Sequence, residues 1–392
     1  MQTGVVSLVL AYVLSQFYRA FLAVLAPALK ADLGATPADL SYASGMWFVV
    51  FAAMQIPVGA ALDRIGPRRT AAVLFALGGA GGALVCALAQ SPLHIVFGMV
   101  LLGVGCSPVL MASYFIFARV YSPAVFGTLA GVVLGVGSLG NVASSVPLAW
   151  AAEAVGWRGT LFGLAAISLA IAALIAAFVT DPPKAEAEKR GSVLDILKIP
   201  ALWLILPLMF VNYAPSAGTR GLWVGPYMAD VFGADAARIG LVSLVMGLAM
   251  IAGNFAYGPL DRWLGTRKWG ILGGNLLGAA ACFALAGLTT GNIWTVTVLL
   301  ALVGFFGASF PQMIAHGRAF FPAHLTGRGV SLLNLFVIAG VGAMQFVTGR
   351  VHAARAAVAE TPADPYATLF LLYGALLLAG VAIYAFSRDR TD

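Results

Sequence analysis

The sequence predicts an all-α membrane protein with twelve transmembrane helices in two pseudo-symmetric six-helix bundles. Three observations carry this. Apolar residues make up 61% of the 392 and charged residues 9%, whereas a soluble chain needs about a quarter charged residues. The apolar runs reach about 20 residues, which suits helices crossing a bilayer and exceeds the length of a barrel strand. Landmarks of the first half also return in the second, which signals a duplicated six-helix unit.

Breaking the apolar runs at proline, glycine and charge clusters gives twelve spans, in order 4–29, 39–62, 70–90, 92–119, 126–151, 157–180, 200–230, 237–260, 269–290, 292–320, 328–353 and 364–387. The first begins in MQTGVVSLVLAYVL. It is too long for a signal-peptide core and is read as a retained helix. The one long polar stretch follows the sixth span. It sets the expected domains: a first bundle over 1–180, a cytoplasmic linker over 181–199 and a second bundle over 200–392.

Basic residues orient the chain. Fifteen of the 22 Lys and Arg fall in loops on the linker's side and five in loops on the other; Arg19 and Arg220 lie inside spans. Both termini are therefore expected in the cytoplasm, in a multi-pass arrangement in a bacterial inner membrane. The net charge of +7 reflects these loops, so no nucleic-acid partner is expected. Cys86, Cys106 and Cys282 lie in separate apolar runs and suggest neither a disulfide nor a metal cluster.

The repeat is clearest at GAALDRIGPRR (59–69) and YGPLDRWLGTRK (257–268), and again at ARVYSP (118–123) and GRAFFP (317–322). Asp63 and Asp261 are 198 residues apart, Arg119 and Arg318 199. Gly59, Asp63, Arg64, Gly66, Arg68 and Arg69 resemble the loop signature of the major facilitator superfamily, with Pro67 inserted before the basic pair. The second copy, Gly258, Asp261, Arg262, Gly265, Arg267 and Lys268, departs by one residue on each side of Asp-Arg. The resemblance implies a transporter with two bundles, a central cavity and alternating access by rocking. It implies no enzyme chemistry and no cofactor, and a chain that works as a monomer. A carboxylate at a helix end can meet a helix N-terminus and nearby arginines. Asp63 with Arg119 and Asp261 with Arg318 are the expected latch pairs, beside Arg64 and Arg262; the alternative is that these charges only fix loop topology.

Within that superfamily the first span, with Arg19 before Pro27, resembles the organophosphate and organic-anion carriers. Arg220, before Pro226, matches their second arginine. Two departures matter. The second span has no lysine, and the repeat would place Arg19 opposite Gly218, so Arg220 is two residues out of phase. A carboxylate therefore fits better than a phosphate ester.

An arginine at the membrane centre costs about 2.5–3.5 kcal/mol on insertion scales. Every acidic residue falls in a loop or at a helix end, so an anionic substrate is the simplest missing partner for Arg19 and Arg220. The alternative is pairing with helix carbonyls or snorkelling. The same census argues against carriers that use a membrane carboxylate. His316, taken as the one histidine within a span, is the candidate for a coupling proton; the alternative is packing. Met246 and Met250 are read as packing residues. Gly127, Gly131 and Gly135 are expected to pack against a neighbouring helix.

The resemblance places the cavity on spans 1, 4, 7 and 10 with 2, 5, 8 and 11 beside them. Gln16, Tyr18, Tyr42, Tyr114, Asn141, Tyr213, Trp223, Asn254 and Asn334 complete the expected substrate site, with Gln55, Asn212 and Trp47 as further candidates. Each is equally a candidate for interhelical hydrogen bonding. The expected function is secondary or exchange transport of a small organic anion. The alternatives are efflux of amphipathic compounds and a transporter-like membrane sensor.

Overall fold

The computed structural model describes residues 2–183, 196–322 and 326–391. Most of the expected linker, including Lys184, Lys189 and Arg190, lies outside the described residues. So do the surroundings of Gly127 and the side chain of Arg328. Among the described residues there is no strand.

The helices are α1 (Gln2–Tyr18, continued after a bend by Phe21–Leu33), α2 (Pro37–Arg64), α3 (Pro67–Ala87), α4 (Pro92–Val120), α5 (Pro123–Ala143) and α6 (Val146–Phe178). Then come α7 (Leu202–Asn212, Ala214–Gly218, Thr219–Trp223 and Val224–Phe232), α8 (Ala236–Leu264), α9 (Lys268–Gly287), α10 (Ile293–Gly307 and Phe310–Arg318), α11 (Thr326–Ala356) and α12 (Asp364–Tyr384). Among the described residues, nine are singly long and apolar enough to cross a bilayer, and the bent α1 makes a tenth. The remaining two are α5, one continuous helix of 21 residues, and α7, which is divided into four short segments. At 33 residues α6 is too long for one crossing, about 50 Å, and Gly156 at φ 74° breaks it. The stretch before Gly156 thus falls in the expected fifth span and the rest in the sixth.

The chain folds as two compact units. One holds α1–α6 with Asp235–Leu244 at the start of α8; the other holds α7 and the chain from Val245 onward.

In the first unit, α2 opens on a capping box: Thr36 Oγ1 accepts from the Asp39 amide (3.2 Å), and Asp39 Oδ2 accepts from the Thr36 amide (2.9 Å). Such a box satisfies two helix-end donors at once. Helices α3 and α4 approach through glycines. A Cβ on Gly105 would overlap the Gly79 amide, and one on Gly82 would sit 2.7 Å from the Gly98 carbonyl oxygen. The glycine-rich face of α3 includes a π-helical stretch, Phe75–Ala80. The expectation for α5 is corrected: a Cβ on Gly131 or Gly135 would meet nothing within 4 Å. Gly137 and Gly140 make the close approach instead, against Tyr12 and the Val13 carbonyl of α1. A different stripe of the same helix faces its neighbour. Between α1 and α6, Asp32 Oδ2 accepts from Trp157 Nε1 (2.7 Å) and Arg158 Nη1 (3.2 Å).

Both units close α3 and α9 in the same way. In the first, Gly66 at φ 102° turns the chain into α3, and Asp181, just after α6, accepts from the Arg68 amide at 2.7 Å. In the second, Asp389, just after α12, accepts from the Arg267 (3.2 Å) and Lys268 (3.0 Å) amides and from the Thr266 hydroxyl. A carboxylate on the first amides of a helix satisfies donors that lack an intrahelical partner and meets the positive end of the dipole. His316 reinforces the second closure. Its Nε2 donates to the Arg388 carbonyl (2.9 Å), because a carbonyl can only accept, and its Nδ1 then accepts from the Tyr384 hydroxyl (2.7 Å).

Partial burial pushes the Asp389 carboxyl up, but its hydrogen bonds from Thr266, Lys268 and Arg267 hold it below the ordinary carboxylate value. A depressed carboxylate stabilises the fold above its unfolded pKa, and this contribution is lost as pH falls through the lower native value. Asp389→Asn should therefore lower Tm at neutral pH, by roughly 1–3 °C for a cap of this kind. The gap from wild type should close as pH falls below the ordinary carboxylate range. Thermal unfolding in detergent across pH measures both; a gap that does not change with pH contradicts the assignment.

Candidate functional site

In the first unit, Arg19 sits where α1 breaks. The two parts of α1 meet at 50°. Ala20 leaves the helical region (φ −133°, ψ −3°), and its amide bonds back to Phe17 O at 3.0 Å. Pro27 lies further along, so the bend is not at the proline. The Arg19 guanidinium lies 5.2 Å from the Trp47 ring and 5.1 Å from the Phe51 ring. Those two rings stack 4.9 Å apart at 16°. Aromatic faces attract a cation, by about 2 kcal/mol or more where water is excluded. The rings offer no hydrogen-bond acceptor of the usual kind. Among the described residues no carboxylate pairs with Arg19, and its Nε is buried without a hydrogen bond. Gln16 Oε1, three residues before Arg19 on α1, and Trp47 Nε1 on α2 are also buried and unbonded. The arrangement is a cation with a donor to spare, near one more donor and one acceptor.

The other expected residues of this unit divide. Tyr18 is fully buried, its hydroxyl 2.9 Å from Ser168 Oγ on α6, so it joins helices. Tyr114 and Asn141 are half-buried and Tyr42 is 51% exposed; all three have partners. Gln55 donates to the Phe51 carbonyl of its own helix at 3.1 Å. Asp63 meets Arg119 at 3.3 Å, as expected, and Arg119 also lies 3.9 Å from the Phe115 ring. Arg64 is exposed.

In the second unit, Arg220 is 3% exposed and lies in the π-helical stretch Thr219–Trp223. Space for its guanidinium comes from Gly247 on α8. A Cβ there would stand 2.9 Å from Arg220 Nε and 3.3 Å from Nη2. Sequence reasoning missed Gly247, one of 46 glycines with no motif around it. Trp223 donates its Nε1 to Gln345 Oε1 (3.1 Å) and Thr348 Oγ1 (3.0 Å), so its polar edge is already engaged. Tyr213 packs its ring 4.7 Å from Phe310. Asn212 donates to Asn275 Oδ1 (2.6 Å) and Ser309 Oγ (2.9 Å), tying α7 to α9 and α10. Asn334 is half-buried and Asn254 exposed.

Two further points differ from the sequence-based expectations. Asp261 pairs with Arg267 at 3.0 Å and not with Arg318, which is exposed, as is Arg262. Arg267 is six residues away in the same loop, and Gly265 at φ 66° turns the chain back to bring it there. His316 is also not the one histidine within a span: His94 and His352 lie in the expected fourth and eleventh. His352 in α11 is 6% exposed and packs against Trp223; it lies inside the expected eleventh span and was legible there. No group of three or more His, Cys, Asp or Glu among the described residues is placed to hold a metal.

Comparison with known proteins follows the same lines. A protein named as a tartrate transporter, from Agrobacterium vitis, is 24% identical over 363 residues, 83% of this chain and 78% of that protein. A protein named as the sulfoacetate transporter SauU, from Cupriavidus necator, is 24% identical over 326 residues, 76% of this chain and 74% of that protein. In fold, the chain is similar to the crystal structure of a bacterial homolog of the human lysosomal transporter Spinster, in an inward-facing and occupied conformation. The TM-score is 0.79 at 18% identity, over 98% of this chain and 96% of that one. The family model of the Major Facilitator Superfamily matches residues 8–224 and again 205–392. With twelve apolar segments, a duplicated Asp-Arg loop and a match over nearly the whole length, the chain belongs to the Major Facilitator Superfamily.

Proposed function

We propose that the chain carries a small organic anion, a carboxylate, across a bacterial cytoplasmic membrane by alternating access, with both termini in the cytoplasm. The observation that carries this reading is Arg19: a guanidinium at a helix break, against two aromatic faces, with a buried Nε lacking an acceptor. A carboxylate supplies what is missing, since it accepts two parallel N–H bonds from the guanidinium fork. Tartrate and sulfoacetate, for which the two relatives are named, both belong to this chemical class. Gln16 and the Trp47 indole N–H are suited to the anion's other oxygens. Arg220 is a second anion anchor, set in a niche of its own. The Asp63–Arg119 pair serves as a latch for one conformation, with Asp261–Arg267 as its counterpart.

The test is uptake of tartrate and sulfoacetate by purified protein in liposomes. Arg19→Gln should lower uptake about 10–100-fold, matching the loss of charge-assisted bonds worth about 1.5–3 kcal/mol. Arg19→Lys should recover only part of it, because an ammonium cannot present the planar fork. Uptake of both anions at wild-type rates by both variants would defeat the reading.

Gly247 gives a separate check. Gly247→Val should reduce uptake while the protein still folds, since the group that must yield is the flexible end of Arg220. Combined with Arg220→Ala, the same substitution should add little, as expected for two residues acting on one site. Independent, additive losses would show that Gly247 does not act through Arg220.

A further inference from the structure

His352 lies near the end of α11. Its ring is 5.1 Å from Trp223 of α7 at 31°, and 4.9 Å from Tyr366 of α12, edge to face. Tyr366 donates its hydroxyl to Asp230 Oδ2 at 2.6 Å. Asp230 is half-buried near the end of α7, and Tyr366 is 1% exposed. On the other side, Trp223 bonds to Gln345 and Thr348, two turns and one turn before His352 on α11. Gln345 Nε2 donates in turn to the Gly218 carbonyl at 3.3 Å, two residues before Arg220. A continuous run of contacts therefore joins Asp230, through Tyr366, His352 and Trp223, to the π-helical stretch that holds Arg220.

We propose that His352, with Tyr366 and Asp230, forms a proton-binding site that sets the anion affinity of Arg220. The proposal rests on the reading of Arg220 as an anion anchor. Histidine is the side chain whose unperturbed pKa places its charge change between pH 5 and 8. When His352 takes up a proton, the imidazolium lies against the Trp223 face, where a cation is attracted, with the Asp230 carboxylate one hydrogen-bonded ring away. Trp223 lies three residues from Arg220 on the same π-helical stretch, so the charge gained at His352 acts on the anion anchor through that stretch, most strongly where water is scarce. Linkage makes the effect mutual: a bound anion raises the proton affinity by the same factor.

The other charged and titratable groups on the surrounding elements do not replace this assignment. On α12, the Asp364 carboxylate is taken by the Glu360 and Thr361 amides and the Thr361 hydroxyl; Tyr373 is buried one turn beyond Phe370. On α7, Tyr227 donates to the Thr289 carbonyl at 2.7 Å. On α11 itself, Arg350 and Arg355 are exposed. His316 and Arg318 of α10 flank Gly317, which packs on Leu333 near the other end of α11.

Two measurements on the full-length protein test the proposal. Tryptophan emission is titrated from about pH 8 to pH 5 in wild type, His352→Gln and Trp223→Phe, with His352→Asn in reserve should the glutamine variant not fold. Wild type should show a quenching step, as an imidazolium against an indole gives, and both variants should lack it. Tartrate affinity is then measured over the same range. In wild type it should rise as pH falls through the step, by about 5–150-fold, and saturating tartrate should move the step to higher pH. In His352→Gln both effects should vanish. A missing step, or one that survives in the histidine variants, overturns the site. A step that tartrate does not move, in protein that binds tartrate, overturns the coupling to Arg220. A step in wild type that binds neither tartrate nor sulfoacetate supports the proton site and counts against the anion reading instead.

Discussion

In hydrocarbon every peptide N–H and C=O needs a partner inside the protein, and an α-helix is the form in which one segment supplies them all. That requirement makes each interruption of a membrane helix informative, because an interrupted backbone is tolerated only where protein or a cavity covers it. Here the interruptions fall in a pattern. The break in α1 carries Arg19. The interruptions in α7 bracket Asn212 and Arg220. The break in α10 carries Ser309, which accepts the Asn212 hydrogen bond. The π-helical stretch of α3 lies in its glycine face against α4. Polar function and backbone irregularity coincide because a polar side chain deep in a span needs either a partner or room, and a regular helix face offers little of either.

Much of the fold was legible because bilayer thickness writes itself into run length. The duplicated loop was legible because its residues are contiguous. The Asp63–Arg119 pair was legible for the same reason: both ends sit in short repeated motifs. Its counterpart was misread. Asp261 has two arginines within reach of a sequence argument, and one left-handed glycine chooses between them. The α5 glycines show the same limit. Residues 131, 135, 137 and 140 all belong to one glycine-rich run, and only the rotation of the helix decides which stripe meets α1. The capping carboxylates were hidden differently. Asp181 and Asp389 do the same job, but they stand 208 residues apart while the loop aspartates stand 198 apart, so the repeat offset does not align them.

The candidate site was legible in its charges and not in its surroundings. A lone arginine in an apolar run stands out. The residues that receive it do not: Trp47 and Phe51 are aromatic residues in an apolar helix, and Gly247 has no side chain to notice. His352 carried a signal that was overlooked, a titratable ring four residues before the basic end of its helix. What gives it a role is Trp223 and Tyr366, which come from two other helices.

The two arginines also show how far the duplication has drifted. Arg19 is held by aromatic faces at a sharp bend, and Arg220 by a glycine niche in a π-helical stretch. These are different solutions to the same cost, that of placing a guanidinium within a membrane span. The two-residue phase difference between them agrees with this, because about half a helical turn puts the second arginine on a different face of its helix. The caps, by contrast, kept their chemistry, a carboxylate on the first amides of α3 and of α9, although their spacing in the sequence shifted. A helix N-terminus needs a carboxylate in either half, and a loop beside it needs the same turn. The interior has no such fixed demand. Each half's interior answers to its own packing, so nothing there holds the two arginines to one arrangement.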